Sequence, residues 1–105
     1  MSDYVQVMTT TDRADHADAL AAAVLDARTA ACVQVLGPIR SHYRWKGEVE
    51  QAEEWLLVVK TTAEQLDPLI AMIGANHHYD VPEITATLIV GGSAAYLEWI
   101  GASVS

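Results

Sequence analysis

The spacing of apolar positions changes along the chain, and each change marks an element. Residues 4–10, Tyr4-Val5-Gln6-Val7-Met8-Thr9-Thr10, are rich in β-favouring side chains and predict a strand. Asp12 then offers a helix N-cap with Asp15 in the first turn, and Ala17, Leu20, Ala21, Val24 and Leu25 recur at helical spacing. From Ala31 to Leu36 the pattern returns to a strand, ended by Gly37-Pro38. Ile39 to Trp45 continues extended, with Tyr43 and Trp45 on one face and His42 and Arg44 on the other. Lys46-Gly47 is a tight-turn signal, after which Glu48 to Thr62 forms the second arm of a long hairpin. Within that arm Trp55-Leu56-Leu57-Val58-Val59 is apolar on both faces, as in a strand covered from both sides.

Thr62 is placed to cap a second helix whose apolar stripe is Leu66, Leu69, Ile70 and Ile73, with Gly74 and Asn76 as stop signals. Pro82 opens a strand expected to run to Val90, since proline is tolerated at a first strand position. Gly91-Gly92 turns the chain, and Ser93 caps a short final helix carrying Tyr96, Leu97, Trp99 and Ile100. The order β-α-β-β-α-β predicts an α+β, ferredoxin-like sandwich with an antiparallel sheet, strand order 4-1-3-2, and a short C-terminal helix. One domain is expected over residues 1–105. Two helices would cover one face of the sheet, leaving an apolar second face that points to oligomerisation.

Composition narrows the function classes. Hydrophobic residues make up 51% of the 105, slightly high for a small soluble monomer, which again suggests a surface covered by another subunit. The net charge is -8, from 14 acidic and 6 basic side chains. A nucleic-acid binder needs a basic surface to displace counterions, so nucleic acid and anionic membranes are disfavoured as partners. Cys32 is the sole cysteine, so neither an intrachain disulfide nor a thiolate cluster is possible within one chain. With no basic, apolar leader at Met1-Ser2-Asp3-Tyr4 and no membrane-length apolar run, a cytoplasmic protein without a signal peptide is expected.

The densest chemistry lies in His77-His78-Tyr79-Asp80-Val81-Pro82-Glu83-Ile84. Imidazole is the side chain best suited to bind a transition metal near neutral pH. Strands 1 and 3 are read as central and parallel, which would gather Met8, Thr9 and Thr10, Lys60, Thr61 and Thr62, Cys32 and the 77–83 segment at one sheet edge. Both helix N-termini would open there too. Such an edge supports two chemistries. His77 or His78 with Met8 and Cys32 would suit copper, whereas Lys60 beside helix N-termini would suit a phosphate or carboxylate. Plain core packing is the favoured reading of Met8 and Cys32, and an ion pair accounts as well as a ligand does for Lys60. Tyr43, Trp45 and Trp55 could form a stacking wall or anchor an interface. Glu48, Glu50, Glu53 and Glu54 read as a solvated hairpin rim. No Gly-rich phosphate loop, nucleophile elbow or HExxH motif occurs, so no enzyme is expected.

Taken together, Thr9-Thr10, Ala30-Ala31-Cys32-Val33, Ser41-His42-Tyr43-Arg44-Trp45-Lys46-Gly47, Val59-Lys60-Thr61-Thr62, the 77–84 segment and Tyr96-Leu97-Glu98-Trp99-Ile100 span nearly the whole chain. In this order they resemble the CutA divalent-cation-tolerance family. That resemblance implies a ferredoxin-like subunit, a homotrimer related in architecture to PII signalling proteins, a cytoplasmic location, a link to copper and other divalent metals, and no established enzymatic activity. It carries the family histidine to His77, with Tyr79, Pro82 and Glu83 matching in place, while His78 stands where the family usually has proline. The implied metal residues are His77, His78 and Met8, holding copper or another divalent ion weakly. The implied cleft residues are Lys60, Tyr79, Glu83, Tyr43 and Trp45. A PII-like sensor of a small ligand and a non-catalytic trimeric scaffold are the competing functions.

Overall fold

The computed structural model describes residues 3–104. Its elements are β1 (Tyr4–Thr11), α1 (Ala14–Asp26), β2 (Cys32–Trp45), β3 (Glu48–Thr62), a 3-10 turn (Ala63–Gln65), α2 (Leu66–Asn76), β4 (Thr85–Leu88) and α3 (Ala94–Ser103). The sheet order β2-β3-β1-β4 is the expected one read from the other edge. Every pairing is antiparallel, including β1 with β3.

That last pairing corrects the parallel reading of strands 1 and 3. In a β-α-β unit with one strand inserted, β1 runs with β2, and the hairpin then reverses β3. Thr11 therefore lies opposite Trp55 and Tyr4 opposite Thr62. Lys60, Thr61, Thr62 and Cys32 sit at the Tyr4 end of the sheet, since Cys32 pairs with Lys60 and Lys60 with Gln6. Met8 to Thr11 and the 77–83 segment sit at the other end. The N-termini of α1 and α2 follow opposite ends of the sheet and share no edge.

Val5 and Val7 of β1, Leu57 and Val59 of β3, Ala17, Leu20 and Val24 of α1 and Leu69 and Ile73 of α2 are all buried in one core. Two-residue alternation puts the strand members on one face, and helical spacing aims the stripes of α1 and α2 at it. The opposite face is not bare. α3 packs across its Tyr4 end, where Ile100 is fully buried. The Ser93 side chain caps α3 by accepting from the Tyr96 N–H at 3.3 Å, as expected. Asp12 does not cap α1; the N-cap is Arg13 and makes no side-chain cap bond. Thr62 precedes the 3-10 turn, also without a side-chain cap bond.

β2 continues through Gly37-Pro38, with a register shift between Leu36 and Ile39. Proline lacks a ladder donor, and β2 is an edge strand where such an interruption is tolerated. β4 is shorter than the Pro82–Val90 span, beginning only at Thr85 opposite Met8. Past the end of β1 the β2–β3 hairpin has no other strand beside it: residues 39–45 pair only with 48–54. The molecule is correspondingly elongated, 44 × 25 × 22 Å.

Candidate functional site

The segment after α2 is held against the Thr10 end of β1 by its own side chains. Tyr79 N–H donates to His77 Nδ1 at 3.1 Å, so that nitrogen carries the lone pair. The proton is then on Nε2, which donates to the Thr10 carbonyl at 2.8 Å. Both nitrogens of His77 are thus engaged, and its ring occupies a β1 carbonyl where β4 has not yet begun. This is a local reason for the late start of β4.

His78 points to α1 instead. Its Nε2 lies 2.8 Å from Asp12 Oδ1, an exposed contact that becomes an ion pair when the ring is protonated. Asp12 is thereby used as an acceptor for His78 rather than as a helix cap. A third imidazole, unremarked in the sequence, joins them. The His16 ring of α1 lies 4.0 Å from His78 and 5.5 Å from His77, centroid to centroid. His16 Nε2 is buried and has no hydrogen-bond partner. Burial, then the neighbouring His78 and His77, pull the His16 pKa below its ordinary value. The four-residue spacing of Asp12 and His16 was the signal available for this pair; what it meets, 60 residues on, was not in it.

On the other side of the loop the Tyr79 hydroxyl donates to Glu54 Oε2 at 2.8 Å. Burial first, then Glu54, hold the phenol well above its ordinary pKa. Glu54 is only 7% exposed, which corrects its reading as part of a solvated rim. It shares its strand face with Leu56 and Val58, not with solvent.

The expected site residues therefore divide into separate places. His77, His78 and Tyr79 are together. Tyr79, Glu83, Tyr43 and Trp45 line one cavity at the hairpin base. Met8 is half-buried two residues short of Thr10, opposite Val58 and Thr85, on the sheet face opposite Val7 and Thr9. Lys60 is at the far end of the sheet, its Nζ bonded to Gln34 Oε1. Neither Lys60 nor Cys32 joins the histidines. Among the described residues, no three His, Cys, Asp or Glu side chains already converge as a ready-made metal site.

Similarity to known proteins covers this whole arrangement. The profile of the CutA1 divalent ion tolerance protein matches residues 5–103. The chain belongs to the CutA1 family. It is 40% identical over 94 residues to the divalent-cation tolerance protein CutA of Thermus thermophilus, covering 90% of this chain and 91% of that one. It is 46% identical over 81 residues to the chloroplastic protein CutA of Arabidopsis thaliana, covering 77% of this chain but 44% of that protein. The chain thus spans less than half the length of that plant relative. In three dimensions it matches the crystal structure of CutA from Xylella fastidiosa with a TM-score of 0.96, at 32% identity, over 99% of this chain and 100% of the other. The CutA1 assignment, reached first from scattered motifs, thus holds for fold and family alike.

Proposed function

We propose that this chain is the subunit of a homotrimeric CutA1 protein that contributes to divalent-cation tolerance by binding a metal ion, copper among them, weakly at the histidine cluster. The observation that carries the reading is the contact of His16 with His77 and His78 beside Asp12, with one His16 nitrogen buried and unpartnered. Imidazoles suit copper, zinc and nickel. His16 Nε2 and the His78 ring, with Asp12 adjoining, are the donors that would hold the ion. His77 would have to give up a bond to Tyr79 or Thr10 to join them. Rearranging those bonds on binding lowers affinity, consistent with a tolerance role rather than a permanent cofactor. Met8 would join such a site only through a larger movement. The reading is of a binder and not an enzyme, in keeping with a family described by divalent ion tolerance.

The trimer is supported by the hairpin and by exposed apolar residues. An isolated two-stranded ribbon is marginal in water, so residues 39–54 need a surface to lie on. Val49, Leu88 and Val90 are 67%, 62% and 92% exposed, and Trp45 and Trp99 are half-exposed. None of the described helices is long and apolar enough to cross a membrane. The cytoplasm is the location we propose.

Calorimetric titration of Cu(II) into the intact protein and into His77→Ala/His78→Ala and His16→Ala variants tests the site. Both variants are expected to bind more weakly. Equal affinity in all three would remove the histidine cluster from the reading while leaving the family assignment in place.

A further inference from the structure

The histidine cluster and the base of the hairpin meet in one residue. The Tyr79 N–H donates to His77 Nδ1 at 3.1 Å. The Tyr79 ring lies 4.8 Å from the His77 ring and 5.2 Å from the His78 ring, centroid to centroid. Its hydroxyl reaches the other way, to Glu54 Oε2 at 2.8 Å. Among the described residues that hydroxyl is the only hydrogen-bond partner of the buried Glu54 carboxylate. Glu54 pairs with Ile39, and the next residue, Trp55, pairs with Thr11 at the end of β1. The bond is therefore made where the hairpin leaves the sheet.

This placement sets two arrangements of the loop against each other. In the one observed, the Tyr79 N–H occupies His77 Nδ1 while Glu54 holds the Tyr79 hydroxyl. For His77 to offer that nitrogen alongside His16 and His78, it must leave the Tyr79 N–H, and the ring on which Tyr79 packs moves with it. Whatever holds Tyr79 on Glu54 thus favours the arrangement in which His77 is engaged. The relation is reciprocal by linkage: drawing His77 away weakens the Tyr79–Glu54 bond by as much free energy as that bond takes from binding at His77.

We propose, resting on the histidine cluster being the metal site, that Tyr79 couples that cluster to the base of the hairpin: its bond to Glu54 restrains His77, and occupation of the cluster loosens the hairpin base. Residues 39–54 form the ribbon that needs a neighbouring subunit's surface, so the coupling carries the state of the cluster to a subunit contact.

Zn²⁺ is the probe, because its filled d shell undergoes no redox chemistry. It is titrated by calorimetry into the intact protein and into Tyr79→Phe, and amide hydrogen exchange at residues 52–57 is followed with and without the ion. Tyr79→Phe is expected to bind Zn²⁺ about fivefold more tightly. A tyrosine that only supported the fold would leave affinity unchanged or weaken it on removal. In the parent, Zn²⁺ is expected to speed exchange at residues 52–57 about fivefold; in Tyr79→Phe exchange there is already fast and the ion adds nothing. Without metal, His77→Ala is expected to speed the same amides in the parent background and to add nothing in Tyr79→Phe. Equal or weaker affinity in Tyr79→Phe, unchanged exchange in the Zn²⁺-bound parent, or additive effects of His77→Ala and Tyr79→Phe would each overturn the coupling and leave the metal reading standing. Absence of Zn²⁺ binding in parent and variant alike would overturn both.

Discussion

Tyr79 and Glu54 are bonded at 2.8 Å across 25 residues of sequence, joining the loop after α2 to the base of the hairpin. Glu54 is buried at the point where β3 leaves the cover of β1, so its carboxylate depends on donors such as this one. Tyr79→Phe removes the hydroxyl and leaves the carboxylate under-satisfied. A loss of about 1–3 kcal/mol is expected from such a group, read as a lower denaturant midpoint with an unchanged slope.

The same bond gives an alkaline limit. The Tyr79 pKa is raised on folding, so the folded state holds that proton more tightly than the unfolded chain does. Its stabilisation is complete below the ordinary phenol value of about 10 and is lost as pH rises above it. Melting temperature against pH is expected to fall more steeply above that value in the parent than in Tyr79→Phe. Parallel curves would show that the bond does not couple to folding.

His78 separates stability from binding. Its contact with Asp12 is exposed on both sides, at 42% and 48% side-chain exposure. Exposed pairs contribute about 0–1 kcal/mol, so His78→Ala is expected to melt close to the parent while losing copper affinity. A large drop in melting temperature would instead make His78 a structural residue.

Gly37 is tested by adding one methyl group. A Cβ there would lie 2.7 Å from Trp55 Cγ, against a ring that packs on the core. Displacing an indole is not cheap, and Gly37→Ala is expected to destabilise by about 1–3 kcal/mol, with tryptophan emission changed in the native state.

Val49 sits near the tip of the hairpin with 67% of its surface exposed. If the hairpin lies on a neighbouring subunit, Val49→Glu buries an unpaired charge there. Light scattering is expected to move from trimer towards monomer. An unchanged mass would take the hairpin tip out of the interface.

Much of this was legible in the chain. Two-residue and helical apolar periods located β1, β3, α1 and α2, because each turns an apolar face to one core. Ser93 announced its helix, and Lys46-Gly47 its turn, where Lys46 and Gly47 both adopt positive φ, 49° and 83°. Where local chemistry competed with tertiary contacts it misled. Asp12 looked like a cap and became the acceptor of His78, and β4 lost its first residues where His77 took the Thr10 carbonyl.

Periodicity and motif thus determined the elements, the family and the loop that matters. They could not determine strand direction: β3 runs against β1 and β2 runs with it, the reverse of the reading for both, and this moved Lys60 and Cys32 a sheet's length away from the histidines. Only the tertiary structure brought His16 to His78, and Tyr79 to Glu54. Those contacts arise from how α1 and the hairpin pack on the sheet, and side-chain spacing along a single element carries no record of what another element will place beside it.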